Sequence, residues 1–406
     1  AFRHIKRNKG AAGIDGQSLS AFEANLEVEL SCLLLELKEK RYRAQPVRRV
    51  AIAKDDGGER LLGIPTVRDR VVQQALRRII EPIFEPDFHP SSYGYRPRRS
   101  GHHAIGKAEL FIRRYRRDWV VDMDLSKCFD TLNHDLIIRQ FRQRITDGSV
   151  LSLLRQFLES GVMVGYHLEE TELGSPQGGV ISPLIANVYL DAFDQFMKAR
   201  GHRIVRYADD ILILCGSRAG AENALRVARR YLENELKLTV NTTKTHIAHS
   251  DEGVKFLGVV IHSKYTRIQG KKVVRLKQKL KSLTKRNRGI GLAAIIRELN
   301  PVLRGFVSYF RVANCARVLK QVMSWLRRRL RCIQLKQWKK PGRLHRRLKQ
   351  LGYQPPFRHI KMQSWRNAAS PLASLALPNT YLHNDLQLMD LAKVKTGITV
   401  PEFGVS

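Results

Sequence analysis

Cysteine is scarce and scattered: Cys32, Cys128, Cys215, Cys315 and Cys332 stand far apart, with no CxxC pair and no Cys/His spacing of a zinc site. The pattern excludes a disulfide framework and fits a reduced, intracellular protein. Long apolar runs are missing too. None approaches the length of a membrane span and no signal-peptide pattern opens the chain, so a membrane is not an expected partner. Acid is the third shortage. Against 72 lysines and arginines there are 37 aspartates and glutamates, a net charge of +35. That imbalance implies a polyanionic partner, nucleic acid ahead of a lipid surface. At 406 residues the chain exceeds one hydrophobic core and suggests two or three domains.

Where acid is rare, its clusters matter. The stretch His202–Cys215, HRIVRYADDILILC, sets two β-branched and aliphatic runs around Tyr207-Ala208-Asp209-Asp210, which reads as a β-hairpin with adjacent carboxylates at its tip. Adjacent carboxylates repel, and a divalent metal is the usual partner of clustered oxygen ligands. An acidic pair on a solvated turn is the plainer alternative. A second apolar strand, Trp119–Leu125 (WVVDMDL), also ends in acid. With Val121 and Met123 on one face, Asp122 and Asp124 share the other, and either can reach the hairpin tip. Three carboxylates so gathered form the ligand set of a two-metal phosphoryl-transfer site.

Other segments supply basic and backbone groups. Arg7–Gly16 is a glycine-rich basic loop, followed by an amphipathic helix over roughly Leu19–Lys40. Arg48–Arg60 (RRVAIAKDDGGER) reads as two strands around a turn, with Lys54 and Arg60 on opposite arms. Such a hairpin can aim two cations at one phosphate, or simply be a solvated basic hairpin. Helical periodicity over Thr66–Phe84 puts Val71, Val72, Ala75, Leu76, Ile79, Ile80, Ile83 and Phe84 in the core, with Thr66 and Asp69 resembling a capping box. The loop Ser91–Ser100 interleaves Tyr93 and Tyr95 with Arg96, Arg98 and Arg99, a composition that stacks bases and holds phosphates, or that tethers an ordinary surface loop. Ser175-Pro176-Gln177-Gly178-Gly179 predicts a tight turn, and Ser182-Pro183 an N-cap and first helical residue. Continuing through a helix near Ala221–Leu236 and a strand Val254–Ile261, the order from Trp119 onward approaches βαββαβ. The fold class expected is therefore α/β (α+β).

The chain resembles reverse transcriptases of the group II intron maturase family. The matching stretches are GAAGIDG, RVAIAK with GGERLLGIPTVRDRVVQQA, SSYGYRPRRS, DLSKCFD, GSPQGGVISPLIANVYL, RYADD, KTHIA and FLG, in this order. The resemblance implies a right-hand polymerase with fingers and palm, the palm core being a ferredoxin-like βαββαβ, followed by an α-helical thumb. It implies two Mg²⁺ ions, with Mn²⁺ as a substitute, on Asp124, Asp209 and Asp210. Lys54 and Arg60 would contact the incoming dNTP triphosphate, with Arg48 joining them. Phe129 would floor the sugar pocket, Gln177 would lie over the nascent base pair, and Lys244 would serve as acid for pyrophosphate. A bulky aromatic at Phe129 would collide with a ribose 2′-hydroxyl, so the expected product is DNA; a core aromatic on the strand-to-helix turn is the alternative.

Beyond Ile261 the composition shifts. From Lys264 to Gln350 there are 27 lysines and arginines and one acid, Glu298. Apolar stripes at Val302, Leu303, Phe306, Val307 and Phe310, and at Leu319, Val322, Met323, Leu326, Leu330 and Ile333, persist through it, predicting packed amphipathic helices rather than a disordered tail. The resemblance makes this segment the thumb, or maturase domain X, gripping template and primer and the intron RNA through basic faces such as Arg327, Arg328, Arg329 and Arg331. Gln363–Leu391 resembles the end of group II maturases, with Trp365, Leu372, Leu375, Leu377, Tyr381 and Leu382 as a satellite core. No His/Cys endonuclease cluster follows. The expected divisions are 1–105 (N-terminal extension and fingers), 106–262 (palm), 263–350 (thumb) and 351–406 (short maturase-type segment). The expected activity is RNA-directed DNA synthesis on an RNA template from a primer strand, coupled to intron splicing and mobility into target DNA. Alternatives are a mainly RNA-binding splicing maturase, or a reverse transcriptase kept by its host for repair or defence. The expected location is the cytoplasm or nucleoid of a bacterial cell.

Overall fold

The computed structural model describes residues 1–53, 58–164, 167–169, 173–174 and 178–398. Two units divide the chain, one spanning residues 1–252 and the other 253–401. Among the described residues no helix is long and apolar enough to cross a membrane.

The first unit opens with helices α1 (Phe2–Arg7), α2 (Leu19–Ala24) and α3 (Leu26–Lys38). The single helix expected over Leu19–Lys40 is thus two, broken at Asn25, whose backbone leaves helical geometry. Strands β1 (Val47–Ala53) and β2 (Glu59–Ile64) then pair antiparallel, with Ile52 opposite Arg60. Helix α4 (Val67–Phe84) follows. Its buried stripe is Val71, Val72, Leu76, Ile80 and Phe84, whereas Ile79 and Ile83 are 64% and 40% exposed; the core face is narrower than the expected one, and Ala75 also lies outside it. Thr66 caps α4 by accepting from the Asp69 N–H (3.1 Å). The Asp69 carboxyl also has the Thr66 side chain as a hydrogen-bond partner, in keeping with the expected Thr66–Asp69 pairing. It further accepts from the buried Tyr42 hydroxyl and the Gln45 N–H.

Helix α5 (Gly101–Arg113) leads into β3 (Trp119–Met123), and α6 (His134–Arg142) and α7 (Gly148–Glu159) into the short strands β4 (Val162–Val164) and β5 (His167–Glu169). The remaining elements are α8 (Ser182–Ala199), β6 (Arg203–Tyr207), β7 (Asp210–Cys215), α9 (Arg218–Asn234) and β8 (His246–His249). Ile181 is the cap of α8, with Ser182 and Pro183 inside its first turn, so the helix begins one residue before the expected start.

The central sheet has the order β6-β7-β3-β8 and every pair is antiparallel. Its chain order is strand, helices, strand, strand, helix, strand, and it buries Val120, Val121, Met123, Ile211, Leu212 and Ile213. Its last strand is His246–His249 rather than the expected Val254–Ile261. The latter stretch is a hairpin of β9 (Val254–Phe256) and β10 (Val259–Ile261), because Leu257 and Gly258 both take positive φ (44° and 84°) and reverse the chain.

That hairpin belongs to the second unit, where β11 (Thr266–Ile268) completes a three-stranded sheet. Helices α10 (Gly270–Leu283), α11 (Leu292–Phe310), α12 (Ala316–Trp338), α13 (Pro341–Gln350) and α14 (Pro371–Ala376) follow. The predicted stripes of α11 and α12 are its core: Leu303, Val307, Leu319, Val322, Met323, Leu326, Leu330 and Ile333 are buried. A satellite core gathers Cys332, Leu335, Leu344, Leu348, Met362, Ala368, Ala373 and Ala376, with Trp365 and Leu372 against it. Leu377 and Leu382 are buried, but Leu375 is 37% exposed, on the outer side of the short α14.

Candidate active site and basic surfaces

Sheet register brings the acids together. Met123 on β3 pairs with Ile211 on β7, so Asp124, one residue on, emerges at the strand end where Asp210 begins β7. Tyr207 and Asp210 close the β6–β7 hairpin around the two-residue turn Ala208-Asp209. Ala208 holds φ at 58°, a conformation that non-glycine residues seldom adopt.

A buried frame holds that turn. Arg206, fully buried, is paired with the equally buried Asp194 of α8 at 2.6 Å. Its Nη1 donates to Ala208 O and to Asn187 Oδ1, both at 3.1 Å. Asn187 Nδ2 in turn donates to Gly94 O (2.8 Å). Backbone bonds from Arg206 N–H to Ser91 O and from Tyr93 N–H to Arg206 O, both 2.9 Å, tie the Ser91–Gly94 loop alongside. Only glycine fits at position 94, since a Cβ there would stand 2.3 Å from Ala208 N. Burial raises the Asp194 carboxyl above the usual range, and the Arg206 charge opposes the shift. The sequence does carry a signal for this frame: Arg206 interrupts the apolar strand IVRY, and Asp194 interrupts the apolar helix beside Phe193.

Asp124 is held from the neighbouring chain. Its N–H donates to Thr245 Oγ1 (3.2 Å), its carbonyl accepts from Asn241 N–H (2.9 Å), and its Oδ2 accepts from Asn241 Nδ2 (3.1 Å). Lys244 Nζ lies 3.4 Å from the same Oδ2. Asp122, paired across the sheet with His246, has its Oδ2 4.0 Å from His246 Nε2. Burial, and then the charges of Asp209, Asp122 and Asp124, push the Asp210 carboxyl up to about 7, with Lys244 opposing. Asp210 keeps part of its surface in solvent, which screens part of that effect; burial and three like charges act in the same direction. An all-oxygen donor set under mutual repulsion suits a hard divalent cation. Among the described residues, no three such side chains stand at ligand positions around one point.

The other candidates divide. Phe129 lies in a single 3-10 turn, Cys128–Asp130, directly after this strand and packs partly against the core. Gly174 packs on the backbone of Asp130, where a Cβ would come within 2.8 Å. Gly178, at φ 119°, packs on Gly63 O of β2 in the same way. Arg48 is half-buried on β1 and its Nε has no hydrogen-bond partner among the described residues. Lys54 and Gln177 lie outside the described residues, and of Arg60 only the backbone pairing is described.

Several arginines expected on nucleic acid are internal struts. Arg96 is 7% exposed. It grips Glu85 (2.9 Å) and the carbonyls of His89 and Ser92, so no face remains for a phosphate. Arg99 lies over the buried Tyr93 ring and donates to Pro90 O and Ser92 O, leaving Arg98 and Tyr95 as the exposed tip of that loop. In α12, Arg329 is 9% exposed and donates to Thr284 Oγ1 (2.6 Å) and Thr284 O. Arg327 donates to His383 and Asp390, Arg331 to Leu377 O and Asn379, and Arg328 to Trp365 O. These bonds brace α12, Arg329 against the end of α10 and the other three against the C-terminal segment, while Arg327, Arg328 and Arg331 stay half-buried. The freely exposed cations of the unit are elsewhere, Lys277 and Lys279 among them.

Residues 52–261 match the reverse transcriptase (RNA-dependent DNA polymerase) family profile. Residues 273–352 match the group II intron, maturase-specific domain. The chain belongs to the group II intron reverse transcriptase/maturase family. Protein YkfC of Escherichia coli (strain K12) is 39% identical over 314 residues, 68% of this chain and 82% of its own. The group II intron-encoded protein LtrA of Lactococcus lactis subsp. cremoris is 30% identical over 325 residues, 64% of this chain and 53% of its own; the chain thus spans about half of LtrA. A telomerase from Candida albicans, solved with a fragment of telomeric RNA, superposes with a TM-score of 0.46 and 13% identity, covering 78% of this chain and 65% of that one.

Proposed function

We propose that this protein is an RNA-directed DNA polymerase that extends a primer 3′-hydroxyl with dNTPs on an RNA template, and that it also assists group II intron splicing and mobility. The observation that carries the reading is the convergence of acids at one sheet end, where the β3–β7 register sets Asp124 beside the Asp209-Asp210 hairpin tip; burial first, and then the charges of Asp209, Asp122 and Asp124, raise the Asp210 carboxyl. In this reading the β6-β7-β3-β8 sheet is a ferredoxin-like palm, the β1–β2 hairpin belongs to the fingers, and α10 to α13 form a thumb.

Asp124, Asp209 and Asp210 would hold two Mg²⁺ ions, which when bound lower the pKa of the attacking hydroxyl and neutralise the triphosphate. The protein's own groups do the rest. Arg206 and Asn187 fix the turn that presents Asp209. Lys244, 3.4 Å from Asp124 Oδ2, stands where it can give a proton to the departing pyrophosphate. Phe129 excludes the 2′-hydroxyl, and Lys54, Arg60 and Arg48 receive the triphosphate while Gln177 covers the nascent pair. Template, primer and intron RNA are the partners, and the strongly basic segment from Lys264 to Gln350 supports the RNA-binding part.

Primer extension on an RNA template with dNTPs and Mg²⁺ tests the reading. The wild-type chain extends the primer, and Asp209→Asn falls at least a hundredfold while keeping its thermal midpoint. Extension by Asp209→Asn at the wild-type rate would remove the site assignment. Splicing assistance that survives Asp209→Asn would identify the RNA-binding role as separable.

A further inference from the structure

A cleft of about 380 Å³ in the second unit is lined by Lys285, Arg286, Asn287, Arg329, Lys336 and Trp365. Its volume falls in the range of small-ligand pockets. No acid lines it. The single acid between Lys264 and Gln350, Glu298, is held by Arg288 at 2.8 Å and is not among the lining residues.

Around the Trp365 ring three guanidiniums gather, with Cζ at 5.1 Å (Arg329), 5.8 Å (Arg286) and 5.9 Å (Arg328) from its centroid. Cation–π attraction tolerates one such charge, but three crowd one another without a counter-ion. The cleft residues also differ in how far they are already committed. Arg329 is built in, bonded to Thr284 and set between Trp325 and Trp365 at 5.1 Å from each centroid. Arg286 gives only Nη1 to internal partners, Gln363 O at 2.9 Å and Cys332 Sγ at 3.7 Å, leaving its Nε and Nη2 edge for a ligand. The side chains of Lys285, Asn287 and Lys336 make no hydrogen bond or ion pair with the described residues. A concave site with spare cationic donors, an amide and an indole matches a ligand that joins a phosphate to an aromatic base.

We propose that this cleft binds one phosphate-bearing nucleotide of single-stranded RNA, its phosphate held by Lys285, Arg286 and Lys336 and its base set against Trp365 and Asn287. The inference rests on the RNA-binding part of the proposed function and not on DNA synthesis. An acidic peptide would satisfy the cations but would leave the indole and the amide without a matching group.

The test uses the full chain. Tryptophan emission is titrated with adenosine 5′-monophosphate and with a ten-nucleotide RNA of mixed sequence, across a range of salt. The nucleotide should quench the wild type, and Trp365→Phe should remove that quenching. The Lys285→Ala/Lys336→Ala double variant should bind the RNA at least fivefold more weakly. Its salt slope should shrink by about 0.7 for each lysine lost, with an unchanged thermal midpoint, since neither side chain holds the fold. Equal affinity and slope in the double variant would overturn the proposal. So would quenching that survives Trp365→Phe, or a decaglutamate peptide that binds as tightly as the RNA and competes with it. Because no readout involves synthesis, a chain that fails primer extension yet gives the expected quenching loses the polymerase reading and keeps this one.

Discussion

At Ala208-Asp209 the chain concentrates negative charge on a two-residue turn and backs it with one buried cation, whereas along α12 it repeats arginine and turns most of the guanidiniums inward onto its own carbonyls and amides. In the first unit a single arginine, Arg206, both neutralises a buried acid and holds the carbonyl of the residue before Asp209, so the proposed reading gives it a role beyond packing. In the second, four arginines in five positions commit hydrogen bonds to the protein's own groups. Charge in sequence marks where electrostatics matters. Burial and partners decide whether a cation is a strut or a contact.

Breaking the first frame should have the largest effect. Arg206→Met leaves Asp194 charged and unpaired in the core, a loss of about 3–5 kcal/mol for a buried pair cut on one side, read as a lowered denaturant midpoint. The double variant Arg206→Met/Asp194→Leu should recover much of that stability but not primer extension, because Ala208 O still lacks its donor. Recovery of both would mean that the pair acts only through stability. Arg327→Met comes next. Losing its bonds to His383 and Asp390 should lower stability by about 1–3 kcal/mol with RNA affinity changed less than twofold; lost affinity at constant stability would make Arg327 a contact after all.

Substitution at Phe129 sharpens the account of the acid site. Phe129→Val should raise incorporation of ribonucleotides relative to deoxynucleotides about tenfold, measured as the ratio of kcat/KM values. An unchanged ratio would return Phe129 to a packing role on the Cys128–Asp130 turn. The smallest effect belongs to an exposed cation of α10. Lys279→Gln should leave stability within about 0.5 kcal/mol and flatten the salt dependence of RNA binding by about one phosphate contact.

Much of this was legible in the residues. Alternation in WVVDMDL and the tight RYADD hairpin located the strands that carry the acids, since a period of two and a two-residue turn are local properties. The stripes of α11 and α12 were equally local and proved buried. The ends of long-range pairing were not legible. The run VKFLGVVI reads as one strand until the positive φ of Leu257 and Gly258 folds it back, and the sheet edge fell to His246–His249 instead. The Arg206–Asp194 pair spans twelve residues and two elements, so its meaning depends on a helix crossing behind a strand. Likewise Arg96 and Arg329 carry no mark in sequence that separates them from exposed Arg98 or Lys279; only Glu85 and Thr284, brought near by the fold, do so.

The central claim is that the acids at this sheet end take up divalent cations, and the most direct measurement is Mn²⁺ binding followed by electron paramagnetic resonance on the wild-type chain and on Asp209→Asn. The account predicts saturable binding by the wild type, displaced by Mg²⁺ and weakened at least tenfold in the variant. Equal binding by the two proteins would contradict it.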